Sequence, residues 1–166
     1  MKVEKYQTEN NRDESRYTFT SEGKEKIEKI VVYQQFLPIK VAELGLNEQL
    51  EVYNLAFGDR ITGTDDFTDE NISNNGDSDK VLATVIYTIF DFWEHNPNTL
   101  VWFEGSDPED HNGIKKGLRT RLYQRKMERF IEDVEKVAYI LGKFNNQLEV
   151  FIRGKKYDAF LIIRKS

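Results

Sequence analysis

Seven cationic side chains fall between positions 115 and 129: Lys115, Lys116, Arg119, Arg121, Arg125, Lys126 and Arg129, against the single carboxylate of Glu128. On a helix Lys115, Arg119, Lys126 and Arg129 share one broad face, and Arg121 and Arg125 stand one turn apart on an adjacent one. Guanidinium forks match phosphate and carboxylate oxygens in a bidentate manner. If several reach phosphates at once, binding weakens steeply with salt. The anion-binding set read from this segment is Arg119, Arg121, Tyr123, Arg125, Lys126 and Arg129. Tyr17, Phe19, Tyr33 and Tyr53, on neighbouring candidate strands, would offer base-stacking surface. The competing reading is that aromatics in strands form the core.

A second group, Asn74, Asn75, Gly76, Asp77, Lys80 and Ser106, makes a candidate loop site. Tested against a calcium loop, with Gly76 at the sharp turn, Asn71, Ser73, Asn75, Asp77 and Asp79 take alternating ligand positions. The bidentate glutamate position then falls on Leu82, which cannot ligate, so a site of that kind is disfavoured. Asp77 and Asp79 instead suit the start of a helix, whose dipole favours negative charge there. Ser106 lies five residues before His111, but no Gly-x-Ser-x-Gly elbow surrounds it, and a turn or cap is the simpler reading. His95 reads as a residue at a helix C-terminus. Phosphate-cradling glycine loops of the Gly-x-Gly-x-x-Gly or Walker type do not occur. No catalytic residue, metal ligand or cofactor is assigned.

Composition narrows the chemistry further. The 166 residues include no Cys and two His, which excludes disulfides, thiolate nucleophiles and a three-histidine zinc site within the chain. The 39% hydrophobic and 13% aromatic content is enough for a packed core, so a disordered chain is excluded. The longest apolar run, 81–93, is too short for a membrane span and is interrupted by Asp91. The first sixteen residues are polar and lack the apolar stretch of a secretory signal, so a cytoplasmic location is expected. The net charge of −5 conceals a strong polarity. Residues 1–60 carry −2, residues 61–113 carry −11 and residues 114–166 carry +8. Either the acidic middle and basic end neighbour one another, or the basic end faces an anionic partner, or the two meet between copies in a homodimer.

The elements that must position these groups follow from periodicity. Strands are expected at 17–21, 27–36, 41–46 and 50–57, with Pro38 stopping the second; four in succession imply an antiparallel meander. Residues 60–78 form a long acidic loop. Leu82, Val85, Ile86, Ile89 and Trp93 then repeat at helical spacing, with Asp77 or Ser78 as N-cap. A short strand at 100–103, a basic helix over 114–132, and strands at 137–141 and 160–163 complete the order ββββ-α-β-α-β-β. The expectation is an α+β fold: a polar segment at 1–16, then a single domain over 17–165.

Several short motifs, in this order, carry a family resemblance. They are Tyr53-Asn54-Leu55-Ala56-Phe57-Gly58-Asp59, Asn74-Asn75-Gly76-Asp77 with Lys80-Val81-Leu82-Ala83-Thr84-Val85, Gly105-Ser106, Thr120-Arg121-Leu122-Tyr123, and Tyr157-Asp158-Ala159-Phe160-Leu161. Together they resemble an uncharacterised family of small bacterial single-domain proteins, a domain of unknown function. The resemblance spans 17–165 and implies one domain without implying an activity. In that family the Gly-Ser turn stands closer to the Thr-Arg-Leu-Tyr segment, so residues 107–119 read as a local insertion. The strand-rich first half also resembles, in topology, the Whirly and PUR-type single-stranded nucleic-acid-binding folds, although the second half does not repeat it.

The functional expectation is a non-enzymatic module that binds an anionic ligand, single-stranded or structured nucleic acid, through the basic helix. The alternatives are an enzyme acting on a phosphate-containing small molecule, with Asp65, Asp66, Asp77 or Asp79 beside Ser106 and Arg121, and a homodimer-forming interaction module. No membrane partner is expected.

Overall fold

The computed structural model describes residues 3–10, 15–61, 63–64, 67–68, 75–104, 124–125 and 127–166. Among them nine strands form one sheet: β1 (Glu9–Asn10), β2 (Arg16–Glu22), β3 (Lys26–Gln35), β4 (Val52–Arg60), β5 (Phe67–Thr68), β6 (Leu100–Phe103), β7 (Ala138–Phe144), β8 (Gln147–Val150) and β9 (Ala159–Arg164). Their spatial order is β1-β2-β3-β4-β6-β9-β7-β8, with β5 beside β4. Every pairing is antiparallel except β4 with β6, where Val52 to Leu55 run parallel to Leu100 to Phe103.

That parallel junction exists because a helix carries the chain back between the two strands. Helix α2 (Ser78–His95) has the expected spacing, and Leu82, Val85, Ile86, Ile89 and Trp93 are all buried. They pack with Tyr17, Phe19, Val31, Tyr33 and Leu55 from the strands in the larger hydrophobic cluster. The Tyr33 ring stacks on Phe92 with centroids 4.2 Å apart, and its hydroxyl meets Thr88 Oγ1 at 2.8 Å. Asp77 occupies the N-cap position but makes no cap bond; its carboxylate accepts from Tyr6 and Ser21 instead.

The sequence expectation fails at 41–46, which is not a strand. Residues Pro38–Glu43 form helix α1. Proline is at home in the first turn, where its missing N–H would be unbonded anyway, so Pro38 opens a helix as well as stopping β3. Val41 is the buried anchor of this helix, seated with Val52, Trp102, Ala159 and Leu161 on the sheet face opposite α2. The meander therefore runs through β2, β3 and β4 with α1 inserted before its third strand. β8, which sequence reading missed, pairs with β7 as a hairpin through Asn145 and Asn146, both at positive φ.

In the basic segment, Gln124, Arg125 and Met127 are helical; a 3-10 turn (Glu128–Phe130) follows, and then helix α3 (Ile131–Glu135). The rest of the helix expected over 114–132, residues 114–123 and 126, lies outside the described residues. No helix among those described is long and apolar enough to cross a membrane.

Candidate anion-binding corner

The described end of the basic segment is fixed by one buried amide. Gln124, 6% exposed, donates from Nε2 to the Lys155 carbonyl and accepts the Tyr157 N–H on Oε1 at 3.2 Å. Four residues on, Glu128 accepts the Gly154 N–H at 3.1 Å. All three bonds fall on the connection between β8 and β9. Its turn closes with Lys155 N–H donating to the Ile152 carbonyl at 3.1 Å, and Gly154 sits at φ +85° as the third residue of a type II turn requires. Below it the Tyr157 ring, 3% exposed, lies over Gly142, and its hydroxyl accepts from Ile152 N–H at 2.9 Å.

Arg153-Gly154-Lys155-Lys156 is thereby held beside Arg125 and Arg129, adding a second cationic stretch to the first. Arg125, Arg129, Arg153 and Lys156 are exposed. Two of the local cations are engaged within the chain: Lys155 with Glu149 at 2.5 Å and Arg129 with Asp79 at 2.7 Å. The arrangement can present guanidinium and ammonium groups to an anion from two chain segments. In the sequence only the first stands out as a long run, because the second is confined to four residues.

Of the six residues assigned to anion binding, the structure describes two, Arg125 and Arg129, and places both at this corner. Arg119, Arg121, Tyr123 and Lys126 lie outside the described residues. The stacking surface expected of the sheet aromatics is overturned. Tyr17, Phe19 and Tyr33 are at most 4% exposed beneath α2, and Tyr53 packs edge-on to Phe92. Burial raises the Tyr33 phenol pKa well above its ordinary value and raises that of Tyr53 as well.

The candidate loop site divides into separate duties. Asn75, 5% exposed, donates to Ser21 Oγ at 2.9 Å and to the Glu25 carbonyl at 2.8 Å, and accepts the Glu25 N–H at 2.7 Å. It latches the β2–β3 hairpin to the start of α2. Asp77 accepts from the Tyr6 and Ser21 hydroxyls, and burial together with the Asp77 carboxylate raises the Tyr6 pKa. Lys80 lies over the Tyr6 ring, 4.3 Å from its centroid. Gly76 takes positive φ between Asn75 and Asp77. Asn75, Asp77 and Asp79 thus turn to different partners, and among the described residues no group of three His, Asp or Glu is placed to hold a metal ion. Asn74, Ser106, His111, Asp65 and Asp66 lie outside the described residues. His95 Nδ1 meets the Asp91 carbonyl at 2.9 Å, one turn back at the end of α2.

At the opposite sheet edge a cleft of about 390 Å³ opens between residues 6–9 and β2. Its charged lining is Glu9, Glu22 and Glu28, which repels an anion.

One mixed sheet backed by a long helix, with a cationic corner built from two segments, defines an α+β protein. The chain belongs to the Family of unknown function (DUF6934), whose model matches residues 2–165. Neither a curated protein nor a solved structure matches it.

Proposed function

We propose that this protein is a non-enzymatic module that binds single-stranded or structured nucleic acid through the basic segment 115–129 and the turn at 153–156. The observation that carries the reading is the Gln124 clamp. A buried side chain spends both its donor and its acceptor on fixing one cationic segment against another, which pre-orders charges that would otherwise repel. Arg119, Arg121, Arg125 and Lys126 engage phosphates from the first segment, and Arg153 and Lys156 from the second. Arg129, paired with Asp79, contributes less.

Two competing readings lose ground. Asp77 and Asp79 are engaged with hydroxyls and with Arg129, which leaves them poorly arranged as a shared catalytic pair. The pairs Arg129–Asp79 and Arg164–Glu94, each 2.7 Å, join the basic end to the acidic middle within one chain, which weakens the case for a charge-driven homodimer.

Filter binding of labelled single strands at two salt concentrations tests the proposal. We expect affinity to fall steeply with salt, and an Arg153→Ala/Lys156→Ala variant to flatten the log–log slope by about 0.7 for each phosphate it no longer neutralises. No binding at low salt would sink it, as would unchanged binding in an Arg121→Ala/Arg125→Ala variant.

A further inference from the structure

Buried sheet aromatics leave open what could distinguish an unpaired base from a duplex. Phe144 ends β7 at the tip of the β7–β8 hairpin and is 40% exposed. The Lys155 ammonium lies 4.3 Å from its ring centroid, on the turn that also carries Arg153 and Lys156. The backbone around the ring is fixed: Asn145 and Asn146 hold a tight two-residue turn at positive φ, and Gln147 pairs back onto Phe144. Lys155 is itself held by Glu149, so the cation sits over the ring without needing to be ordered by a ligand.

We infer that Phe144 is a base-stacking residue and that the corner recognises an unpaired base next to a phosphodiester, the chemistry shared by single-stranded RNA and DNA. The inference rests on the nucleic-acid reading above and makes it specific. An exposed aromatic ring gives a base a sequence-tolerant surface. Lys155 lies over the ring and is paired with Glu149, so Arg153 and Lys156, exposed on the same turn, supply the positive charge for the adjoining phosphate. A duplex, whose bases are already stacked, gains only the phosphate contacts.

The test uses the full chain with a ribose strand, a deoxyribose strand and a duplex of one sequence, each containing 2-aminopurine. In both strands we expect the native protein to quench the fluorophore. Phe144→Ala should abolish the quenching and weaken strand binding roughly tenfold, with the salt slope and duplex affinity unchanged. Phe144→Trp should retain both. Quenching confined to one sugar type would overturn the shared chemistry. Strand binding unaffected by Phe144→Ala would overturn the stacking role while leaving the phosphate reading intact. An equal loss for strand and duplex would also overturn it, since the substitution would then have disturbed the corner as a whole. If no nucleic acid binds at low salt, the underlying reading fails, and this inference with it.

Discussion

Gly142 shows how one missing carbon positions a site. A Cβ built there would fall 2.3 Å from Cδ1 of the Tyr157 ring. The ring cannot withdraw, because its hydroxyl accepts from Ile152 and its backbone N–H is held by Gln124. We therefore expect Gly142→Ala to destabilise the fold by about 1–3 kcal/mol through overpacking, read as a lower urea midpoint. An unchanged midpoint would show that Tyr157 is free to shift. In the sequence Gly142 stands just past the strand expected at 137–141 and reads as no more than its boundary. Its partner is Tyr157, fifteen residues on in the connection between β8 and β9, and nothing in the local pattern announces how closely the two approach.

Elements with a strong period were legible and those with mixed signals were not. The eighteen residues of α2 repeat their apolar positions over five turns, and the helix was placed to within a residue. β3 and β6 were similarly clear. The six residues of α1 carry one buried anchor, too few for a period to emerge, and the apolar residues Val41, Leu44 and Leu46 read as a strand at 41–46. β8 was missed because Gln147–Val150 is short and none of its side chains is buried. Where α2 meets the sheet, Tyr33 supplies a pH signature. Its burial, with smaller effects from Tyr17 and Asp91, keeps the phenol protonated well above its ordinary pKa, despite the opposing Thr88 hydrogen bond. In the unfolded chain it ionises near pH 10, at about its reference value. Below that both states hold the proton; above it the unfolded state loses the proton first, so stability falls as pH rises. We expect Tyr33→Phe to make the decline above pH 10 shallower, by up to about 1.4 kcal/mol per pH unit. Tyr6 and Tyr53, shifted the same way, keep the slope from vanishing. An identical alkaline profile in native protein and variant would count against this account.

Across the whole molecule, the charge polarity visible in the sequence becomes a set of internal ties. Arg129 reaches Asp79 in the first turn of α2, and Arg164 reaches Glu94 in its last. Both pairs are solvent-exposed, so each adds at most about 1 kcal/mol and is screened by salt. Thermal unfolding should therefore change little between low and high salt, while nucleic-acid affinity falls steeply. A large loss of stability in salt would mean that charge pairing, and not the two hydrophobic clusters, carries the fold. The candidate site was half legible in this respect. A run of cations declares itself in any sequence, whereas the Gln124 clamp depends on hydrogen bonds between residues more than thirty positions apart.

The placement of β9 bears on how the chain is made. This strand lies between β6 and β7, with Phe103 opposite Phe160 and Ile140 opposite Ile162. During synthesis β6 emerges long before the neighbour that completes it, and β7 also waits with an open edge. Until residues 159–164 clear the ribosome, Trp102 and Val101 have no strand beside them on that side. A stalled or truncated nascent chain would expose an unpaired, apolar sheet edge, the state on which a holding chaperone acts.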